Sequence, residues 1–328
     1  MISAGVQDAF KDVSSEWAYR IPFAIQWCWI PPLFIVLWFA PESPWWLARK
    51  GKIEEAEESL NRLSDGTAID PKEMISEILH TQMIEIEIES GTSMFDCFRG
   101  IDLRRTEIVC GIYAAQNLCG LAIGGQPTYF LEQAGISTNL SFNFTVGVLA
   151  LGFVCVLICA WLMTYIGRRT LLVGGLALLT IILYIVGFIA VGSSSKTAEL
   201  VEASLIFVWA VIFYLTLGPV VYAVVNEIPS MRLRAKSVSL ARNAYYIVGI
   251  IINILNPYMV NNSAWGWKGK TCLFYGSTCL VCTIWAYFRL PESKGRTYEE
   301  LDVLFSKKIS ARKFGAEDID LYADVVAA

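Results

Sequence analysis

Residues 41–52 read PESPWWLARKGK, and residues 291–300 read PESKGRTYEE. Each Pro-Glu-Ser closes a long apolar run, and basic residues follow it within a few positions. Six further apolar runs separate Glu42 from Glu292. Two equivalent exits with six runs between them describe a repeat whose unit is six segments. That reading decides the fold, and the remaining sequence either fits it or does not.

The 328 residues are 55% hydrophobic and 17% charged, against about a quarter charged in an ordinary soluble domain. Mean hydropathy is +0.51. Seven runs approach or exceed the roughly 20 apolar residues that span a bilayer: residues 21–40, 108–130, 144–165, 171–191, 205–225, 238–260 and 272–290. Lipid offers no partner to backbone N–H and C=O groups, so spanning runs of this kind are helices. The alternating segments of about ten residues that build a barrel are missing. The first run is too long for a signal peptide, holds Pro22, Pro31 and Pro32, and lacks a small-residue cleavage site. The expectation is an all-α membrane protein with seven transmembrane helices.

Several function classes fall away. The net charge of −4 includes no basic patch interleaved with aromatics, so nucleic acid is not an expected partner. The nine cysteines show no zinc-ligand spacing. Cys279 and Cys282 form C-x-x-C inside an apolar run, where they read as small buried hydrophobes. No metal or cofactor is expected. His80 is the only histidine and reads as a solvated surface residue. Without a nucleophile–base pairing or a phosphate loop, the chain is not read as an enzyme.

Orientation follows from Lys and Arg. With residues 41–104 on the cytoplasmic side, 21 of the 26 basic residues lie inside, Arg242 among them. The sequons at Asn139, Asn143 and Asn261 then all fall outside. Asn143 sits too near the membrane, leaving Asn139 and Asn261 as glycosylation candidates. A seven-helix receptor also has an outside N-terminus, but residues 41–104 are far too long for its first inner loop.

The ordered motifs now carry a resemblance. They are RIPFAIQW (20–27), PESPWWLARKGK (41–52), QNLCG (116–120), TYFLEQAG (128–135), GRRTLL (167–172), GPVVYAVVNEIPSMRLRAKSVSLARN (218–243) and PESKGRTYEELDVLF (291–305). The chain resembles a sugar porter of the major facilitator superfamily, and within it the fungal maltose and α-glucoside permeases. The resemblance runs from about Trp17 to Phe305. It implies two parallel six-helix halves. Residues 1–19 are then an extracellular segment and 20–40 the last helix of a first half, whose other five helices are expected upstream. Residues 41–104 form a cytoplasmic linker, 105–290 the second six-helix half, and 291–328 a cytoplasmic tail. A multi-pass protein of the plasma membrane is implied, embedded in the lipid bilayer.

A sugar presents hydroxyls and apolar C–H faces, so its site calls for amides and aromatic platforms without fixed charge. Gln116 and Asn117 are adjacent amides within one apolar segment. The resemblance adds Tyr222 after Gly-Pro, and Asn243, Tyr245 and Tyr246 form a further polar-aromatic group; Gln116, Asn117, Tyr222, Asn243 and Tyr246 are the substrate-site candidates. Tyr129 lies at the outer end. The family usually has Gln-Gln where this chain has Gln116-Asn117, and an Asn where it has Ala122. A buried amide can equally well tie two helices together. Gly120 and Gly124 read as close helix packing with a bend, and Pro219 and Pro257 as helix breaks.

By the same resemblance Glu227, Arg168, Arg169, Arg232 and Glu292 form a gating charge network at the cytoplasmic end. The plainer reading for the arginines is topology alone. An acidic residue often found before Gly-Arg-Arg is replaced by Thr164-Tyr165. In the linker, Ile53, Ala56, Leu60 and Leu63 share one helical face, and a second helix is expected from Pro71 toward Glu89 despite the alternating IEIEIE run. The tail after Phe305 reads as charged and loose.

The function implied is carbohydrate transport by alternating access, for an α-glucoside such as maltose or a hexose. Proton symport would use an acid in the missing half, since no Asp or Glu lies at membrane depth in the last six segments. The alternatives are a sugar-sensing receptor on the same scaffold and a non-transporting remnant; this chain alone is expected to take up little or no maltose.

Overall fold

The computed structural model describes residues 5–6, 9–10, 15–64, 70–89, 92–125, 128, 132, 137–193, 195–261 and 263–315. Tyr129 and the tail beyond Gly315 lie outside them. Among the described residues there are helices and no strands. Seven helices are long and apolar enough to cross a membrane. In order, the principal helices are α1 (Trp17–Phe39), α2 (Pro44–Arg49), α3 (Ile53–Leu63), α4 (Pro71–Glu89), α5 (Gly100–Gly124), α6 (Thr138–Tyr165), α7 (Arg168–Gly192), α8 (Lys196–Leu215), α9 (Leu217–Glu227), α10 (Arg234–Val260), α11 (Thr271–Arg289) and α12 (Tyr298–Ser306). The chain divides into two compact units, one of residues Val6–Thr92 and one of Met1–Gly5 with Ser93–Ala328.

The smaller unit holds α1 to α4. Helix α1 has no buried side chain, and Trp27, Leu37 and Trp38 are more than 70% exposed. Helices α2, α3 and α4 bury Leu47, Ala56, Leu60 and Ile75 against one another. The expected face of α3 is observed except at Leu63, which ends the helix and is exposed. Helix α4 begins at Pro71 and continues through the IEIEIE run, with no strand for that run to pair with. His80 is exposed.

The larger unit is a helical body with a continuous apolar core. Helices α7 and α11 pack closely along it: Leu176 O accepts from Cys279 Sγ at 3.5 Å, and Thr180 and Thr283 bring their hydroxyls to 3.2 Å. Cys279 and Cys282 are buried free thiols, and no disulfide occurs among the described residues.

Two helices are interrupted inside this core. Helix α5 passes through a π-turn at Asn117–Leu121, where Gly120 has φ +97°, a conformation that only glycine adopts freely. Thr278 Oγ1 donates to Leu118 O at 2.6 Å, serving a carbonyl at the turn. Gly124 faces the Trp209 ring so closely that a Cβ would collide with it. The single segment 205–225 is in fact two helices, α8 and α9. The chain breaks at Thr216 (φ −130°, ψ −86°), which puts Pro219 in the first turn of α9, where its missing donor does least harm. Pro257, by contrast, ends nothing: it sits one turn from the end of α10, which runs on to Val260.

Two further expectations are corrected. Helix α5 starts eight residues before the apolar run, and Asp102, Arg105 and Glu107 in its first turns are each paired, as described below. Residues 306–315 are anchored through Phe314, which is fully buried against Phe305, with ring centroids 5.0 Å apart, and whose carbonyl accepts from Arg296 Nη2 at 3.2 Å. One aromatic residue outweighs the charged composition around it. Replacing Phe314 with Ala is expected to destabilise the larger unit by about 3 kcal/mol, read as an earlier thermal unfolding of the chain in detergent.

Candidate substrate cavity and ion-pair network

The break between α8 and α9 opens a cavity of about 350 Å³. Gln116, Phe213, Tyr214, Gly218, Tyr222 and Tyr245 are among its lining residues. Among the described residues no carboxylate or ammonium lines it. The structure therefore brings Gln116 of α5 and Tyr222 of α9 to one cavity. Gln116 is buried and donates through Nε2 to Gly218 O at 3.0 Å, which bridges α5 to the first turn of α9. Asn117 is also buried, but it donates to Tyr245 O at 2.9 Å and ties the π-turn to α10 rather than lining the cavity. Asn243 is exposed and Tyr246 is 54% exposed, and neither lines the cavity. Tyr245 takes their place, because α10 is rotated so that its backbone carbonyl meets Asn117.

Arg242 is the unforeseen member. Grouped by the sequence with the inner loop cations, it lies more than two turns into α10. Its guanidinium stands 5.4 Å from the Tyr113 ring centroid, 5.2 Å from that of Tyr245 and 5.5 Å from that of Tyr246. Tyr113 meets Tyr222 and Tyr245 edge-on at 5.9 and 5.8 Å. Among the described residues no carboxylate pairs with Arg242, so the tyrosine rings face its charge instead. Two of those tyrosines, Tyr222 and Tyr245, also line the cavity.

A set of charges gathers at one end of the body. Glu227 at the end of α9 accepts from Arg168 Nη2 at 3.1 Å and Nε at 3.3 Å, and from the Ser293 hydroxyl at 2.5 Å. Glu292 accepts from the backbone N–H of Arg168 at 2.8 Å and of Arg169 at 3.2 Å. It thus caps the N-terminus of α7, where orphan donors and the helix dipole favour an anion. Gly167 leaves room for that carboxylate; a Cβ there would overlap it. Arg169 Nη2 donates to Tyr287 O at 2.9 Å. Four of the five expected residues therefore connect α7, α9 and the segment after α11.

Arg232 does not join them. It pairs with Asp102 at 3.3 Å, and Ser230 donates to the other Asp102 oxygen at 2.9 Å. Asp102 at the start of α5 is the nearer acid. Two more ties went unread in the sequence. Arg105, 4% exposed, pairs with Asp302 of α12 at 2.6 Å. Glu107 binds Arg289 through both oxygens and accepts from Trp285 Nε1 at 3.2 Å. The cluster RRTE at 104–107 was the available signal, since charges at a membrane-helix end are seldom left unpaired. Asn139 is exposed, whereas Asn261 is half-buried and its side-chain oxygen accepts from Ser263 N at 3.1 Å.

The larger unit is thus a helical body with an aromatic and amide-lined cavity at a helix break and a set of ion pairs at one end. The model of the family "Sugar (and other) transporter" matches residues 1–305, and the chain belongs to that family. It is 39% identical over 323 residues to maltose permease MAL31 of Saccharomyces cerevisiae, covering 97% of this chain and 52% of the permease. It is 39% identical over 318 residues to the yeast alpha-glucosides permease MPH3, covering 94% and 52%. The chain thus spans about half the length of the curated relatives it matches. Among solved structures, the MFS proton:xylose symporter XylE bound to 6-bromo-6-deoxy-D-glucose aligns with a TM-score of 0.67 at 23% identity, over 93% of this chain and 64% of that one. That likeness is one of fold. Seven apolar helices and this family make the chain a multi-pass membrane protein.

Gly167→Ala is expected to expel the Glu292 carboxylate from the end of α7 and to cost about 1 kcal/mol, the usual worth of a helix cap. Hydrogen exchange at the amides of Arg168 and Arg169 should accelerate in that variant; unchanged protection would mean that the cap is not what holds this end.

Proposed function

We propose that residues 93–315 form one six-helix half of an alternating-access carrier for a neutral α-glucoside of the maltose type. The observation that carries this reading is the cavity itself. A glycoside has no charge to neutralise, and Gln116, Tyr222 and Tyr245 offer it an amide, phenol hydroxyls and ring faces. The yeast relatives named for maltose and alpha-glucosides support the same substrate class. Helix α1 would be the last helix of the other half. The end that carries Arg168, Glu227 and Glu292 is the cytoplasmic one by its basic residues, which puts the C-terminus inside; the plasma membrane is the proposed location. Rocking of the halves would break and remake the Arg168–Glu227 pair and the Glu292 cap. Proton coupling belongs to the half these residues do not supply. Sugar contact by Gln116 and Tyr222, and use of Asn139 as a glycan acceptor, are parts of the same proposal.

The test is binding of labelled maltose to the chain reconstituted in nanodiscs. Maltose should bind and be displaced by other α-glucosides. Tyr222→Ala and Arg242→Gln should each weaken binding about tenfold, through loss of a ring face and of the charge that holds it. Asn243→Ala, outside the cavity lining, should leave binding within twofold of the parent. Equal affinity in all four proteins would sink the assignment of this cavity.

A further inference from the structure

A second cavity, of about 650 Å³, lies at the same end of the body as the ion pairs. It opens where α5 begins at Gly100 and α11 ends at Arg289, the level at which hydrocarbon gives way to headgroups. Three cationic side chains line it: Arg104, Arg289 and Lys308. Arg104 and Arg289 are close enough to repel each other. Among the described residues Glu107 is the carboxylate beside them, with both oxygens on Arg289, while Arg104 stands 5.3 and 5.7 Å from the Phe305 and Phe314 ring centroids. Three cations against one carboxylate leave a net positive charge. Arg104 donates through Nη1 to Ile309 O at 2.9 Å, but its Nε is buried without a hydrogen-bond partner. The first turn of α5 adds the positive end of a helix dipole. Phe288, half exposed, lines the same cavity and gives it an apolar wall.

We propose that this cavity binds the phosphate headgroup of an anionic phospholipid, with Arg104, Arg289 and Lys308 on the phosphate and Phe288 beside the acyl chains. The combination sets it apart from the sugar-type cavity, which has no cationic lining. An orphaned donor, paired like charges and a hydrophobic wall at the membrane boundary describe an amphiphile with a negative head. A basic pocket between membrane helices is a general recognition device for such lipids. The anchored segment 306–315 supplies Lys308, so the same fold that buries Phe314 completes the site.

The proposal is independent of the substrate reading and is tested without it. The full chain is placed in nanodiscs of phosphatidylcholine with a minority of phosphatidylinositol, and retained lipid is counted by native mass spectrometry. The wild type should retain phosphatidylinositol in preference to phosphatidylcholine. Lys308→Gln, a change at an exposed side chain, should lower that preference about fivefold, and Arg104→Gln at least as much. Lys268→Gln, at the opposite end of the body, should change nothing. No preference in the wild type, or an undiminished preference in Lys308→Gln, overturns the proposal. So does loss of the retained lipid to millimolar inorganic phosphate, which would assign the cavity to a free anion.

Discussion

A backbone carbonyl or amide left without a partner in an apolar interior costs several kcal/mol. Two helices of this protein are nevertheless interrupted there. The side chains at the interruptions explain how. Thr278 serves Leu118 O at the π-turn of α5, Asn117 reaches from that turn to Tyr245 O, and Gln116 reaches to Gly218 O at the start of α9. Each amide or hydroxyl joins the interrupted helix to a neighbour, so the breaks are also the places where the bundle is cross-linked. The cavity follows from the same constraint. Where α8 gives way to α9 the helix is broken at Thr216, and the space beside the break is lined by Gln116, Gly218, Tyr222 and the aromatics of α8 and α10.

This makes the two readings of Gln116 compatible. Its Nε2 is committed to Gly218 O, and that bond holds the cavity open in one shape. An amide carries two donors and an acceptor oxygen in one plane, so a residue fixed by one bond can present the others in a set direction. Asn117 is one position on, and the helix turn between them points it at α10 instead. Adjacent amides in a sequence thus end up with different tasks, because neighbouring residues on a helix face directions about 100° apart.

That angular fact separates what the sequence discloses from what it conceals. The seven spans and the helical character of 71–89 were legible, because apolar length and helix starts are properties of position along the chain; the Arg168–Glu227–Glu292 set came from the family resemblance. The rotation of a helix about its axis is not such a property. It decided that Tyr245 and not Asn243 lines the cavity, that Arg242 stands among tyrosines, and that Arg232 meets Asp102 instead of Glu227. The tail was misread for a related reason. Composition averages over a segment, while a single Phe314 in a fitted pocket fixes it.

The ion pairs at the charged end are unequal, and their burial says which can exchange. Arg168 and Glu227 keep 22% and 24% of their side-chain surface in contact with solvent, so water can take over either partner when the pair opens. Arg105 keeps 4% and lies 4.4 Å from the Phe305 ring centroid. Withdrawing Asp302 would leave that guanidinium with only long contacts to Ile228 O and Leu301 O, both at 3.4 Å. A charge stranded in this way costs about 3–5 kcal/mol, more than a half-exposed pair returns on breaking. Helix α12 is therefore bound to α5 as a fixed part of the body, whereas the Arg168–Glu227 pair between α7 and α9, with about a quarter of each side chain exposed, strands no buried charge when it is parted.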